Sequence, residues 1–184
     1  AEVLVVGEGS AVGTTSVLTI TDEAATIGDA AAVDSKLVFD GNAQDFYVAL
    51  DDSADDLLIG VGSAVGTTPA IHIDENQVVK FDAGIQEEST VVSSSSNAAT
   101  LNLNLGTVFT HTLSENVTYT FSNPAASGYA STFIFKVTQD SSARTITWPG
   151  SVDWAAGTAP TISTGSGDVD VFVFHTVDGG TIYY

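Results

Sequence analysis

Hydrophobic and polar residues alternate along most of this chain, and the alternation comes in short runs. In the first half these are Leu4-Val5-Val6, Ser16–Thr21 with Leu18 and Ile20 on one side, Lys36–Phe39, Phe46–Leu50, Leu57–Ile59, Ala70–Ile73 and Val78–Phe81. A period of two over three to six residues predicts half-buried strands. Phe46, Val48 and Leu50 share one face. Asp40-Gly41-Asn42 between two such runs predicts a hairpin with a loop longer than two residues, and Asp51–Asp56 predicts a second turn. Residues 24–33 hold five alanines but are broken by Gly28 and Asp29, which predicts a loop with a short strand instead of a helix.

One stretch occurs twice. Gly7-Glu8-Gly9-Ser10-Ala11-Val12-Gly13-Thr14-Thr15 returns 53 residues later as Gly60-Val61-Gly62-Ser63-Ala64-Val65-Gly66-Thr67-Thr68. The flanks match too: Leu4-Val5-Val6 with Leu57-Leu58-Ile59, and Leu18 and Ile20 with Ile71 and Ile73. Repeats mark units that bury apolar faces against one another, and two units are fewer than the roughly three a self-sufficient array needs. Other chains are therefore the expected neighbours. Strands this short, over about 85 residues, bury too little surface to offset their ordering entropy alone. The expectation for residues 1–85 is a β-rich shaft with related repeats at 4–29 and 57–82, three chains sharing one core.

Residues 86–99, with the run Ser93–Ser96, read as a linker or edge loop. Beyond them the alternation sharpens. Leu101, Leu103 and Leu105 alternate with asparagines; Phe109, His111 and Leu113 with threonines; Val117, Tyr119 and Phe121 with threonines. Phe133–Thr138 and Ile146–Trp148 follow. In Val169–Val177, valines on one side and Phe172 and Phe174 on the other predict a central strand covered on both faces. Asp178-Gly179-Gly180 then turns the chain into Thr181–Tyr184. Roughly seven strands in residues 100–184 predict an antiparallel β-sandwich or jelly roll.

Charge narrows the partners. With 23 acidic and 4 basic side chains the net charge is −19, and 17 of the acids precede residue 91. Such a field repels nucleic acid and anionic membrane surfaces. No apolar run reaches the length of a membrane span, so membrane insertion is not expected. Without cysteine there is neither disulfide nor thiolate metal site. Ala1, which is not preceded by Met, reads as a processed end or part of something longer.

Little in the chain suggests catalysis. Gly60–Gly66 has the spacing G-x-G-x-x-x-G and is followed by strand residues, so no helix N-terminus is available for a pyrophosphate. His72, His111 and His175 fall in separate strands without zinc-like spacing. There is no Gly-x-Ser-x-Gly elbow. Asp51, Ser53 and Asp55 occupy the first, third and fifth positions of an EF-hand pattern, but Asp56 and Gly62 stand where Gly and Glu belong. A looser calcium contact at Asp51–Asp56 stays open. Asp168 and Asp170 share a strand face at a strand's start, where solvated acids are usual. No cofactor, metal site or catalytic residue is expected. Trp148, in phase with Ile146, reads as core. Trp154 and Tyr184 are the surface aromatics that could stack on a sugar ring.

The segments Leu37–Tyr47, Leu57–Gly62 and Ile73–Asn76 resemble the repeated shaft of tailed-bacteriophage fibre and appendage proteins. Ile146–Trp154, Thr158-Ala159-Pro160, Asp170–Phe174 and Asp178–Tyr183 are similar to a C-terminal domain of such proteins. The resemblance implies an elongated homotrimer on the virion, bound to other virion structural proteins. It also implies contact with a host-surface glycan or decoration of the particle, generally without a catalytic site. A subunit of a cell-derived extracellular filament or surface layer is the alternative, and a carbohydrate-active enzyme a more distant one.

Overall fold

Strands account for all the regular structure beyond short 3-10 turns in the computed structural model, which describes residues 4–6, 18–20, 22–28 and 30–184. The protein is all-β, and its sheets are antiparallel or mixed. The chain divides into two units, Ala1–Ile85 and Gln86–Tyr184.

In the first unit β1 (Leu4–Val6), β2 (Leu18–Ile20) and β3 (Ala25–Ile27) make a three-stranded antiparallel sheet. A five-stranded meander follows: β4 (Ser35–Phe39), β5 (Phe46–Asp51), β6 (Asp56–Val61), β7 (Pro69–Ile73) and β8 (Val79–Phe81). The Asp-Gly hairpin joins β4 to β5, and the acidic turn joins β5 to β6 with Asp51 opposite Asp56. The sequence repeat is also a repeat of pairing. Leu4 lies opposite Ile20 and Val6 opposite Leu18, as Leu57 lies opposite Ile73 and Ile59 opposite Ile71. The first copy of the glycine loop lies outside the described residues.

The second copy shows what the motif does. The β6–β7 loop folds over one face of the sheet and sets Val65 against the small core of Tyr47, Ala49 and Leu58. Lys36 on the same face donates from Nζ to the Ser63 carbonyl at 2.5 Å, and the Gly62 amide donates to the Asp45 carbonyl at 2.8 Å. Gly62 and Gly66 bend the loop at φ of 90° and 72°. Gly60 serves a different need: a Cβ there would lie 2.5 Å from the Tyr47 hydroxyl and 2.7 Å from the Thr68 carbonyl oxygen.

The second unit contains β9 (Thr90–Val91), β10 (Ala98–Asn102), β11 (Val108–Thr112), β12 (Val117–Ser122), β13 (Ser131–Thr138), β14 (Ile146–Thr147) and β15 (Val169–Thr176). Successive strands alternate between two sheets, ordered β15-β13-β11-β9 and β10-β12-β14. Pairing is parallel throughout except between β13 and β15. This corrects the expected antiparallel sandwich. The predicted strands form, but each short connection crosses to the other layer instead of reversing as a hairpin, so the chain winds through three two-layer turns.

Side chains tie those turns together. Glu115 accepts from the Asn97 amide at 3.0 Å, and Asn116 Oδ1 accepts from the Thr145 amide at 3.0 Å. Buried Gln139 donates to the carbonyls of Arg144 and Ser163 and accepts from the Arg144 amide. Between the layers lies an aromatic core. Phe133 meets Phe109 edge-on at 6.0 Å and stacks on Phe174 at 5.2 Å, while Phe121 meets Phe133, Phe174 and Tyr183 at 5.0 Å each.

Two further expectations change. β15 is an edge strand, so its phenylalanines face the core while Val169, Val171 and Val173 face outward. Leu103–Leu105 form a 3-10 turn, entered where Asn102 Oδ1 accepts from the Asn104 amide, and Leu105 is exposed. Residues 86–99, read as linker or edge loop, supply the edge strand β9 and place Val92 and Ala99 in the core.

Candidate functional site

Register places the side chains of the five-stranded meander on two unlike faces. Leu37, Val48, Ile59, Ile71 and Phe81 lie opposite one another in a row across all five strands. Phe39, Phe46 and Val61 flank the row on one side; Leu50, Leu57, Ile73 and Val79 flank it on the other. Side chains two apart on a strand, and those directly opposite across it, share a face. That face therefore holds twelve apolar residues, with Ser35 its one polar member among the described residues. Leu37, Phe39, Phe46, Leu50, Leu57, Ile59, Val79 and Phe81 are each 42–56% exposed. Contiguous exposed apolar patches are uncommon on monomeric proteins, which makes this face a candidate interaction surface.

The opposite face carries the small core together with Lys36, His72 and Lys80. His72 sits between two carboxylates, with Nδ1 3.3 Å from Asp56 and Nε2 2.6 Å from Asp82. Lys80 lies 3.0 Å from Asp82, and this contact, with a smaller contribution from His72, lowers the Asp82 pKa below the usual carboxylate range. The group joins β6, β7 and the end of β8. Most of the remaining acids lie in the turns: Asp40 and Asp45 at one rim, and Asp51, Asp52, Asp55, Asp74 and Glu75 at the other. The charge pattern is thus a clean apolar face inside an acidic border.

The candidates read from sequence do not form one site: Asp51–Asp56 lies at the rim of this sheet, while Asp168, Asp170, Trp154 and Tyr184 belong to the second unit. Asp51 accepts from the Ser53 amide and hydroxyl, and the Asp52 amide donates to Asp34. Among the described residues no group of three His, Asp or Glu side chains is placed to hold a metal ion. Asp170 accepts from Ser163 and Asp168 from the Gly165 amide, so both organise the loop before β15. Trp148 packs against the core as expected. Trp154 packs there too, 5.4 Å from Trp148 and 5.8 Å from Phe174, and keeps only part of its surface in solvent. Tyr184 is 60% exposed, and its backbone pairs with His175 on the outer edge of β15.

His111 lies inside the second unit, on the same strand face as Phe109. It is buried, with Nδ1 2.5 Å from the Tyr119 hydroxyl. Burial lowers its pKa, opposed by the weaker pull of Glu115, and burial pushes the Tyr119 phenol up. Its in-phase placement between Phe109 and Leu113 is the signal that puts it inside. Two shallow depressions, of about 300 Å³ beside Leu103 and Phe133 and about 340 Å³ beside Thr90 and Leu105, are lined by one ionisable side chain between them, Glu88. No described helix is long and apolar enough to cross a membrane. No family model, curated protein or solved structure matches the chain.

Proposed function

We propose that this chain is a non-enzymatic structural protein, a homotrimeric subunit of an extracellular appendage of the kind carried on virions. The first unit would form the shaft, and the second a β-sandwich knob that adheres to a host surface or decorates the particle. One observation carries this reading: the larger apolar face of the β4–β8 sheet is uncharged and, among the described residues, uncovered. The same unit's described buried core amounts to Tyr47, Ala49 and Leu58. A unit so poor in buried surface gains its stability from neighbours. The virion setting rests on the resemblance of the shaft and C-terminal segments, and exposed Tyr184 is the aromatic offered to a glycan.

Light scattering on the purified protein is expected to give three times the 18.9 kDa chain mass. A monomer at micromolar concentration overturns the proposal. Filament formation is the second reading, favoured by the edge strand β15. Residues 169, 171 and 173 are in phase with His175, whose backbone bonds to Tyr184 on that outer edge, so their N–H and C=O groups face away from β13. Open edges accept further strands. Fibres seen by electron microscopy in place of closed particles would select this reading.

A further inference from the structure

We propose that the uncharged face of the β4–β8 sheet is buried against the same face of other copies of this chain, so that self-association supplies the missing half of the first unit's core. The inference rests on the homo-oligomeric reading above and names its surface. The chain closes one side of this sheet itself, since the glycine loop lays Val65 over Tyr47, Ala49 and Leu58. No described residue covers the other side in this way, and eight large apolar side chains there stay 42–56% exposed. A molecule seated there must offer a face equally free of charge and equally broad, because burying an unpaired charge costs several kcal/mol. This chain carries such a face. It also repeats the pairing pattern behind it in β1 and β2, where Leu4, Val6, Leu18 and Ile20 occupy the registers of Leu57, Ile59, Ile71 and Ile73.

Area gives the scale of the contact. Five strands about 4.8 Å apart and five residues of about 3.4 Å give a face of roughly 24 by 17 Å, or about 400 Å². Two faces together bury about 800 Å² and three around one axis about 1,200 Å², the same area per chain in either arrangement. The acidic turns at the rims remain in solvent in that arrangement, where salt can screen their repulsion.

The absence of cysteine makes the test clean. Ile59→Cys places a thiol at the centre of the face, and Ser53→Cys places one on an exposed turn. A short bifunctional thiol reagent is expected to couple Ile59→Cys chains to one another at least about tenfold faster than Ser53→Cys chains. Ile59→Lys is expected to weaken association by at least about a hundredfold. Both tryptophans lie in the second unit, so unchanged tryptophan fluorescence shows that the rest of the chain still folds. If the wild type is monomeric, the homo-oligomeric reading and this inference fall together. If it is oligomeric, yet Ile59→Lys keeps its mass and Ile59→Cys does not couple, this inference alone is overturned.

Discussion

Two residues show how single side chains set the tolerances of this protein. His111 is held neutral by burial, so its folded pKa lies below the ordinary 6.5. As pH falls through 6.5 the unfolded chain takes up the proton first, and stability is lost from there down to the folded value. Tyr119 limits the other side: its raised pKa means stability present below pH 10 is lost as pH rises beyond it. Urea midpoints of the second unit, followed by tryptophan fluorescence, are therefore expected to fall both below pH 6 and above pH 10. The double variant His111→Phe/Tyr119→Phe should flatten both limbs, and unchanged limbs would remove the pair as their cause. Gly60 sets a steric tolerance in the first unit. Gly60→Ala pushes a methyl into the Tyr47 ring and the Thr68 carbonyl. It is expected to cost about 1–3 kcal/mol in denaturant titrations.

At the scale of elements, the strands were legible and their partners only partly so. Alternation located β4 to β8 within a residue or two, because Asp40-Gly41, the acidic runs and the glycine loop mark the hairpin turns there. The same alternation located β11, β12 and β13, yet gave the wrong neighbours. A short polar turn such as Ser114-Glu115-Asn116 can reverse a strand within its sheet or carry it across to the other layer. Packing that is not local in sequence decides, and Leu113 beside this turn is fully buried. The exposed apolar face was half legible: Phe46, Val48 and Leu50 were seen to share a side, but which side the chain would cover depended on where the glycine loop folds. Core and outer positions of β13 and β15 should separate cleanly on substitution. Phe133→Ala, which empties the centre of the aromatic cluster, is expected to destabilise the second unit by about 3–5 kcal/mol. Val171→Thr on the outer side of β15 is expected to change it by less than about 0.5 kcal/mol.

For the whole molecule, charge and pairing distance govern behaviour. Acids crowd the first unit's rims while its apolar face carries none, so charge repulsion and apolar exposure fall at different places on the same sheet. Raising sodium chloride from about 10 mM to 150 mM shortens the Debye length from about 30 to 8 Å. It is expected to raise the melting temperature of the first unit more than that of the second, as two-transition calorimetry can show. A Tm of the first unit that is independent of salt would exclude rim repulsion. The wound second unit has a kinetic consequence as well. Phe109 on β11 pairs with Phe135 on β13, a whole winding away, and no parallel strand there can close on its immediate successor. In the first unit Val48 finds Ile59 through one tight turn. After dilution from urea the β4–β8 meander can pair by local steps, whereas the burial of Trp148 and Trp154 must await loops that span entire windings. That burial is expected to take milliseconds to seconds.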